Sequence, residues 1–353
     1  MTANRTERLA SRLDELGVDA MLVTGEANRR YLSGFTGTAA TLLISKRDRR
    51  LVTDSRYTEQ AARQASGFDV IENVDTLGVV AAWVGERSIG RLGVESEHTS
   101  LKQHRELVER LAEEAHEIPV VPLDGSVEDQ RVAKDEAELA LLREAVRLAD
   151  DVMAAAGNTV AAGMTERELS LELERLIREA GDGPSFPTIV AGGPNAAMAH
   201  HSPGLRPIGA GEPVIVDLGV RLDGYCSDIT RTFTAGAADA RFEEIYGIVL
   251  EAQLATEAGT RAGMTGREAD SLARQVIGNA GFGENFGHGT GHGVGLEIHE
   301  APTLSPRGSG SLKTGAVVSV EPGIYLPGWG GVRIEDLVVI EADGVDVLTQ
   351  ARK

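Results

Sequence analysis

Two segments of this chain set pairs of acids among apolar neighbours. In residues 214–233 the dipeptide Asp223-Gly224 separates two alternating runs. Asp-Gly is a strong hairpin signal, because a type I′ turn needs positive φ at both central positions. With that turn Gly219 faces Asp228. Asp217, two residues before Gly219, shares its face, so Asp217 and Asp228 become diagonal neighbours able to reach a common atom. In the second segment, 317–321 leads through Pro327-Gly328-Trp329-Gly330-Gly331 into 332–335. A turn centred on Gly328 places Glu321 opposite Glu335, with Arg333 on the face of Glu335. Between the two lies a stretch with glycine at every second position from Gly287 to Gly295, carrying His288, His292 and, further on, His299. That spacing argues against a helical zinc pair and for extended backbone packed close to something bulky or charged.

Two like charges about 4 Å apart repel by about 4 kcal/mol at an effective dielectric near 20, so four converging carboxylates need protons or metal ions. Four carboxylates and one imidazole are a hard, oxygen-dominated set that suits two divalent ions such as Mn²⁺ or Co²⁺. Two such ions activate a water and polarise a carbonyl, which is hydrolytic chemistry. Surface acids on unrelated hairpins are the alternative, against which stand the apolar neighbours and the repetition of the pattern. A lone histidine is more often structural than a ligand, whereas three in twelve residues among glycines point to a site.

The elements that must position these groups repeat. Residues 162–183 and 262–283 share 10 identities in 22 positions. Each copy begins Ala-Gly-Met-Thr, a helix cap with Glu168 or Glu268 three residues on as the other half of a capping box. Each helix ends at Ala-Gly, and each copy then meets an apolar strand ending in an acid, Asp217 or Glu321. A helix-plus-hairpin unit duplicated about a pseudo-twofold axis is expected, preceded by a long helix from Glu136. Upstream, strands near 20–23, 41–44, 51–53, 68–71 and 92–94 alternate with helical patterns at 77–84 and 101–115, an α/β arrangement. The run 119–122 and the turn at Gly125 place a boundary there, giving domains 1–125 and 126–353. The length of 353 residues agrees with two domains.

A net charge of -19 repels phosphate backbones and anionic membranes. The sequence holds no apolar run long enough to span a bilayer and no secretory leader, so no nucleic-acid or membrane partner is expected and the cytoplasm is the expected location. The single cysteine, Cys226, excludes a disulfide framework and a cysteine-based zinc site, and reads as a small buried filler.

These motifs resemble the pita-bread metallopeptidases, in the branch of Xaa-Pro aminopeptidases and prolidases (Xaa-Pro dipeptidases), along essentially the whole chain. They are Asp217-Leu218-Gly219 with Tyr225-Cys226-Ser227-Asp228-Ile229-Thr230-Arg231-Thr232, the run from Gly287 to Glu300, Glu321-Pro322-Gly323-Ile324-Tyr325, and Val332-Arg333-Ile334-Glu335-Asp336. The resemblance implies a mixed α/β (α+β) fold, with a creatinase-like N-terminal domain and a pita-bread catalytic domain. It implies Asp217, Asp228, His292, Glu321 and Glu335 as ligands of two divalent ions, Mn²⁺ first with Co²⁺ or Zn²⁺ as alternatives. Asp228 and Glu335 would bridge, Asp217 would complete one site, and His292 with Glu321 the other. His200, His288 and His299 would contact substrate or the ligands, His299 stabilising the tetrahedral intermediate or passing a proton to the proline nitrogen. Glu321 would accept a proton and Arg333 would orient substrate. His201 competes with His200 for its role.

The implied activity is hydrolysis of the bond preceding proline in a peptide with proline second, by a homodimer. An Xaa-Pro aminopeptidase is the first reading and a prolidase the second. Arginines in the segment Asn28–Phe35 are either carboxylate ligands or surface residues. A non-catalytic pita-bread binder is a third reading, which the complete ligand set opposes. The large N-terminal domain disfavours methionine aminopeptidase activity.

Overall fold

The computed structural model describes residues 2–114 and 116–353. The chain divides into two compact units, Met1–Arg131 and Val132–Lys353. The turn at Gly125, with φ +61°, lies inside the first unit, where the short helix Glu128–Arg131 stays because Arg131 donates to Asn28 Oδ1 at 2.7 Å.

The first unit is a six-stranded mixed sheet of β1 (Ala20–Val23), β2 (Thr41–Ser45), β3 (Arg49–Thr53), β4 (Asp69–Glu72), β5 (Leu92–Glu95) and β6 (Val120–Leu123), in the order β4-β3-β2-β1-β5-β6. β1 to β3 are antiparallel neighbours and the remaining pairings are parallel. The all-buried run of β1 is what a strand covered on both faces requires. The helix Glu26–Ser33 is capped by buried Glu95, whose Oε2 accepts the Gly25 N–H at 2.8 Å. Glu95, His98 and Glu128 gather here, and the Asn28 amide donates to both carboxylates. Arg29 is buried and donates to the carbonyls of Thr24, Thr38 and Ala40. Its guanidinium organises its own unit, which corrects the carboxylate-ligand alternative for that residue.

The second unit is the expected repeat. The helices Glu166–Ala180 and Gly266–Asn279 each start from a threonine cap with a complete capping box, a device whose loss costs about 1 kcal/mol. Leu169, Leu173 and Ile177 face the core in one copy, and Ala269, Ala273 and Ile277 in the other. Long helices, Glu136–Thr159 and Ala240–Gly259, precede them. Backbone pairing repeats as well: Arg167 N–H donates to Gly204 O and Arg267 N–H to Gly308 O. Among the described residues no helix is long and apolar enough to cross a membrane.

Candidate metal centre

Asp223 and Gly224 both take positive φ, 44° and 77°, as a type I′ turn demands. The register is the one expected from that turn: Arg221 pairs with Cys226, and in the strands Pro213–Leu218 and Ile229–Thr234 Asp217 pairs with Thr230. Asp228, two residues from Thr230, is therefore diagonal to Asp217. The second hairpin keeps a single register but is broken into two ladders. Gly323–Leu326 pairs with Gly330–Arg333, Ile324 facing Val332, while Val317–Val320 pairs with Asp336–Ile340, Val320 facing Asp336. The break falls at Glu321-Pro322 and Ile334-Glu335, where a proline with no N–H enters the ribbon. It releases Glu321 and Glu335 from the ladder; the Glu321 N–H turns to Thr290 O at 2.8 Å and the Glu335 N–H to Thr230 O at 3.1 Å.

The glycine-rich segment forms a strand at Gly291–Gly293. A Cβ on Gly291 would lie 1.9 Å from Ser319 O, and one on Gly293 2.3 Å from Ala301 O. Close backbone approach is the reason for these glycines, as their spacing suggested. The approach delivers His292 to the acids. Its Nε2 lies 3.2 Å from Glu321 Oε1 and 3.7 Å from Asp228 Oδ2, and its Nδ1 is 3.1 Å from Gly293 O. Protonated, His292 donates from Nε2 to Glu321; a cation in that place would take the Nε2 lone pair instead, with the Nδ1–H kept on the Gly293 carbonyl.

Asp217, Asp228, His292, Glu321 and Glu335 line one cavity of about 540 Å³, together with His200, His288, His299 and Arg333. Every site residue expected from the sequence is thus brought together. Donor atoms of Asp228, His292 and Glu335 lie within 4.8 Å of one another. Burial first, and then neighbouring carboxylates, push Asp228 and Glu335 well above the usual carboxylate range. Burial likewise raises Asp217 against the pull of Arg333, and its Oδ1 is buried without a hydrogen-bond partner. Glu321 goes the other way: burial opposes ionisation, but the hydrogen bond and charge of His292 bring it to about 2. A buried, oxygen-rich set with an orphaned carboxylate oxygen and an acceptor imidazole fits two divalent ions.

Arg333, expected to orient substrate, is largely committed within the protein. It donates to Asp217 Oδ2 at 2.5 Å, Thr230 Oγ1 at 3.0 Å, Tyr325 OH at 3.0 Å and Ala199 O at 3.2 Å. The Thr230 hydroxyl donates in turn to Glu335 Oε2 at 2.7 Å. His288 Nε2 lies 2.8 Å from the same Tyr325 hydroxyl, and the ring of His299 meets that of His292 edge-on at 4.4 Å. Burial lowers both His288 and His299, which keeps them neutral near pH 7. His200 is exposed on the cavity wall, whereas His201 is bonded to Glu166 at 2.8 Å. Sequence reasoning missed Thr230, Ser319 and Tyr325 as supports. Ser319 accepts from the His292 N–H and donates to Glu321. Thr230 and Tyr325 lie within the motifs and Ser319 two residues before Glu321, which was the one available signal. The pair of buried Asp270 and half-buried Arg274, which holds Thr290 and the His288 carbonyl, carried none.

Residues 140–342 match the description "Metallopeptidase family M24" and residues 5–133 match "Creatinase/Prolidase N-terminal domain". An Xaa-Pro dipeptidase of Pyrococcus furiosus is 33% identical over 362 residues, covering 99% of this chain and 98% of its own. The solved Xaa-Pro dipeptidase from Bacillus anthracis superposes with a TM-score of 0.96 at 42% identity, covering 100% of this chain and 99% of its own. The X-Pro aminopeptidase from Thermotoga maritima does so with 0.91 at 36%, covering 98% of each.

Proposed function

This chain belongs to metallopeptidase family M24 and is a hydrolase, and on that premise we propose that it cleaves the bond preceding proline as an Xaa-Pro dipeptidase. The observation that carries hydrolysis is the convergence of four carboxylates and the His292 imidazole in one cavity. Full-length similarity to Xaa-Pro dipeptidases favours that activity over the aminopeptidase put first on sequence. The aminopeptidase reading keeps the support of the Thermotoga maritima structure.

In this reading Asp217, Asp228, His292, Glu321 and Glu335 would together hold two divalent ions. The ions, Mn²⁺ in this proposal, supply Lewis-acid polarisation and an activated water. Arg333 and Thr230 hold Asp217 and Glu335 at a fixed separation. Glu321 takes up a proton at its carboxylate. His299, neutral and beside His292, stabilises the developing oxyanion or returns the proton to the leaving proline nitrogen. His200 and His288 contact the peptide from the cavity wall.

Product analysis of Xaa-Pro and Xaa-Pro-Yaa peptides with Mn²⁺-loaded protein tests this. Cleavage of the dipeptide alone is expected. Cleavage of the longer peptide with release of its first residue establishes the aminopeptidase instead, and turnover of neither overturns both.

A further inference from the structure

Among the positions at which the two copies of the repeat differ is the first residue after the threonine cap, which is Glu166 in one and Gly266 in the other. At Gly266 a Cβ would lie 1.9 Å from Thr303 O, so the neighbouring strand Glu300–Leu304 packs directly onto the helix start. In the first copy the corresponding backbone bonds survive, Glu166 N–H to Arg206 O and Arg167 N–H to Gly204 O. There, however, a wholly buried glutamate fills the space. Its Oε1 accepts from Gly192 N–H at 2.9 Å and Asn195 Nδ2 at 2.8 Å, and its Oε2 from His201 Nε2 at 2.8 Å and Gly204 N–H at 3.0 Å. One carboxylate thus holds the beginning, middle and end of the loop 192–204, with both oxygens doubly engaged. That loop carries Ala199, whose carbonyl receives Arg333, and His200 on the cavity wall.

We propose that Glu166 is a positioning residue for peptide binding: by clamping the loop 192–204 it sets His200 against the cavity, with His201 as one jaw of the clamp. This rests on the reading of the cavity as a peptide site. The metal ligands have their own supports, since Arg333 is also held by Asp217, Thr230 and Tyr325. Loss of Glu166 therefore acts on peptide and spares metal.

Glu166→Gln keeps the size and two of the acceptor contacts but turns an amide N–H₂ toward the other two donors. The Michaelis constant for an Xaa-Pro dipeptide is expected to rise about tenfold with kcat within about threefold. Mn²⁺ affinity of chelator-stripped protein, measured by calorimetry, stays the same, and hydrogen exchange at Gly192 and Gly204 accelerates. His201→Ala, which removes one donor from a surface loop, shows the same pattern more weakly, so the test survives if Glu166→Gln fails to fold. In the background of His200→Ala, Glu166→Gln adds no further rise in KM. Fully additive effects, a fall in Mn²⁺ affinity that tracks KM, or unaltered exchange at those amides would each overturn the proposal. If the wild-type protein cleaves no Xaa-Pro dipeptide, the dipeptidase reading fails by itself, and the exchange rates alone decide the clamp.

Discussion

The Thr230 hydroxyl is one atom in a chain that ties Asp217 to Glu335: it accepts from Arg333, which grips Asp217, and donates to Glu335. A side chain this close to two proposed ligands fixes their approach without touching substrate. Thr230→Val keeps the shape and removes both bonds. Groups that orient ligands are worth roughly 10- to 100-fold in metal affinity, so calorimetric Mn²⁺ affinity is expected to fall by that factor with little change in melting temperature; an unaltered affinity would remove Thr230 from this role. Asp228→Asn is more severe, because the variant loses a carboxylate that the compensation of charge depends on. Its Mn²⁺-dependent activity is expected to vanish, as measured by dipeptide turnover.

At the scale of the element, the strand Gly291–Gly293 has no room for side chains on its glycines. Gly291→Ala puts a methyl against Ser319 O, and overpacking of this kind costs about 1–3 kcal/mol or more. Urea denaturation is expected to show that loss, with Mn²⁺ affinity reduced because His292 moves. The helix Ala240–Gly259 shows a different strain. Near its end Glu257 sits beside buried Asp336, with Lys353 3.2 Å away. Burial, and then Asp336, raise Glu257 to about 7. The native state therefore holds a proton that the unfolded chain releases above its ordinary value of 4.5, so stability present at low pH declines as pH climbs toward about 7. Melting temperature is expected to drop between pH 5 and pH 7.5 and to do so less steeply in Glu257→Gln; equal slopes in the two proteins would exclude Glu257 as the source.

For the whole molecule, ions that bind only the folded catalytic unit stabilise it by mass action, by about 4 kcal/mol at a thousandfold excess over the dissociation constant. Mn²⁺ added to chelator-stripped protein is expected to raise its melting temperature, and to leave that of Asp228→Asn unmoved. Much of this unit was legible in the chain itself. Asp223-Gly224 determined the register that pairs Asp217 with Thr230, and the repeated caps at Thr165 and Thr265 announced the duplicated halves, because turns and caps depend on residues a few positions apart. The glycine spacing announced the close approach around His292 for the same local reason. Other assignments needed tertiary structure. That His201 is bonded to Glu166 while His200 is exposed on the cavity wall, that Arg333 is spent on Asp217 across 116 positions, and that the second ribbon breaks at Pro322 to free Glu321 are outcomes of contacts between distant segments. Residue type and local spacing constrain what a side chain can do, but which partner it meets is settled only when the remote strands pack.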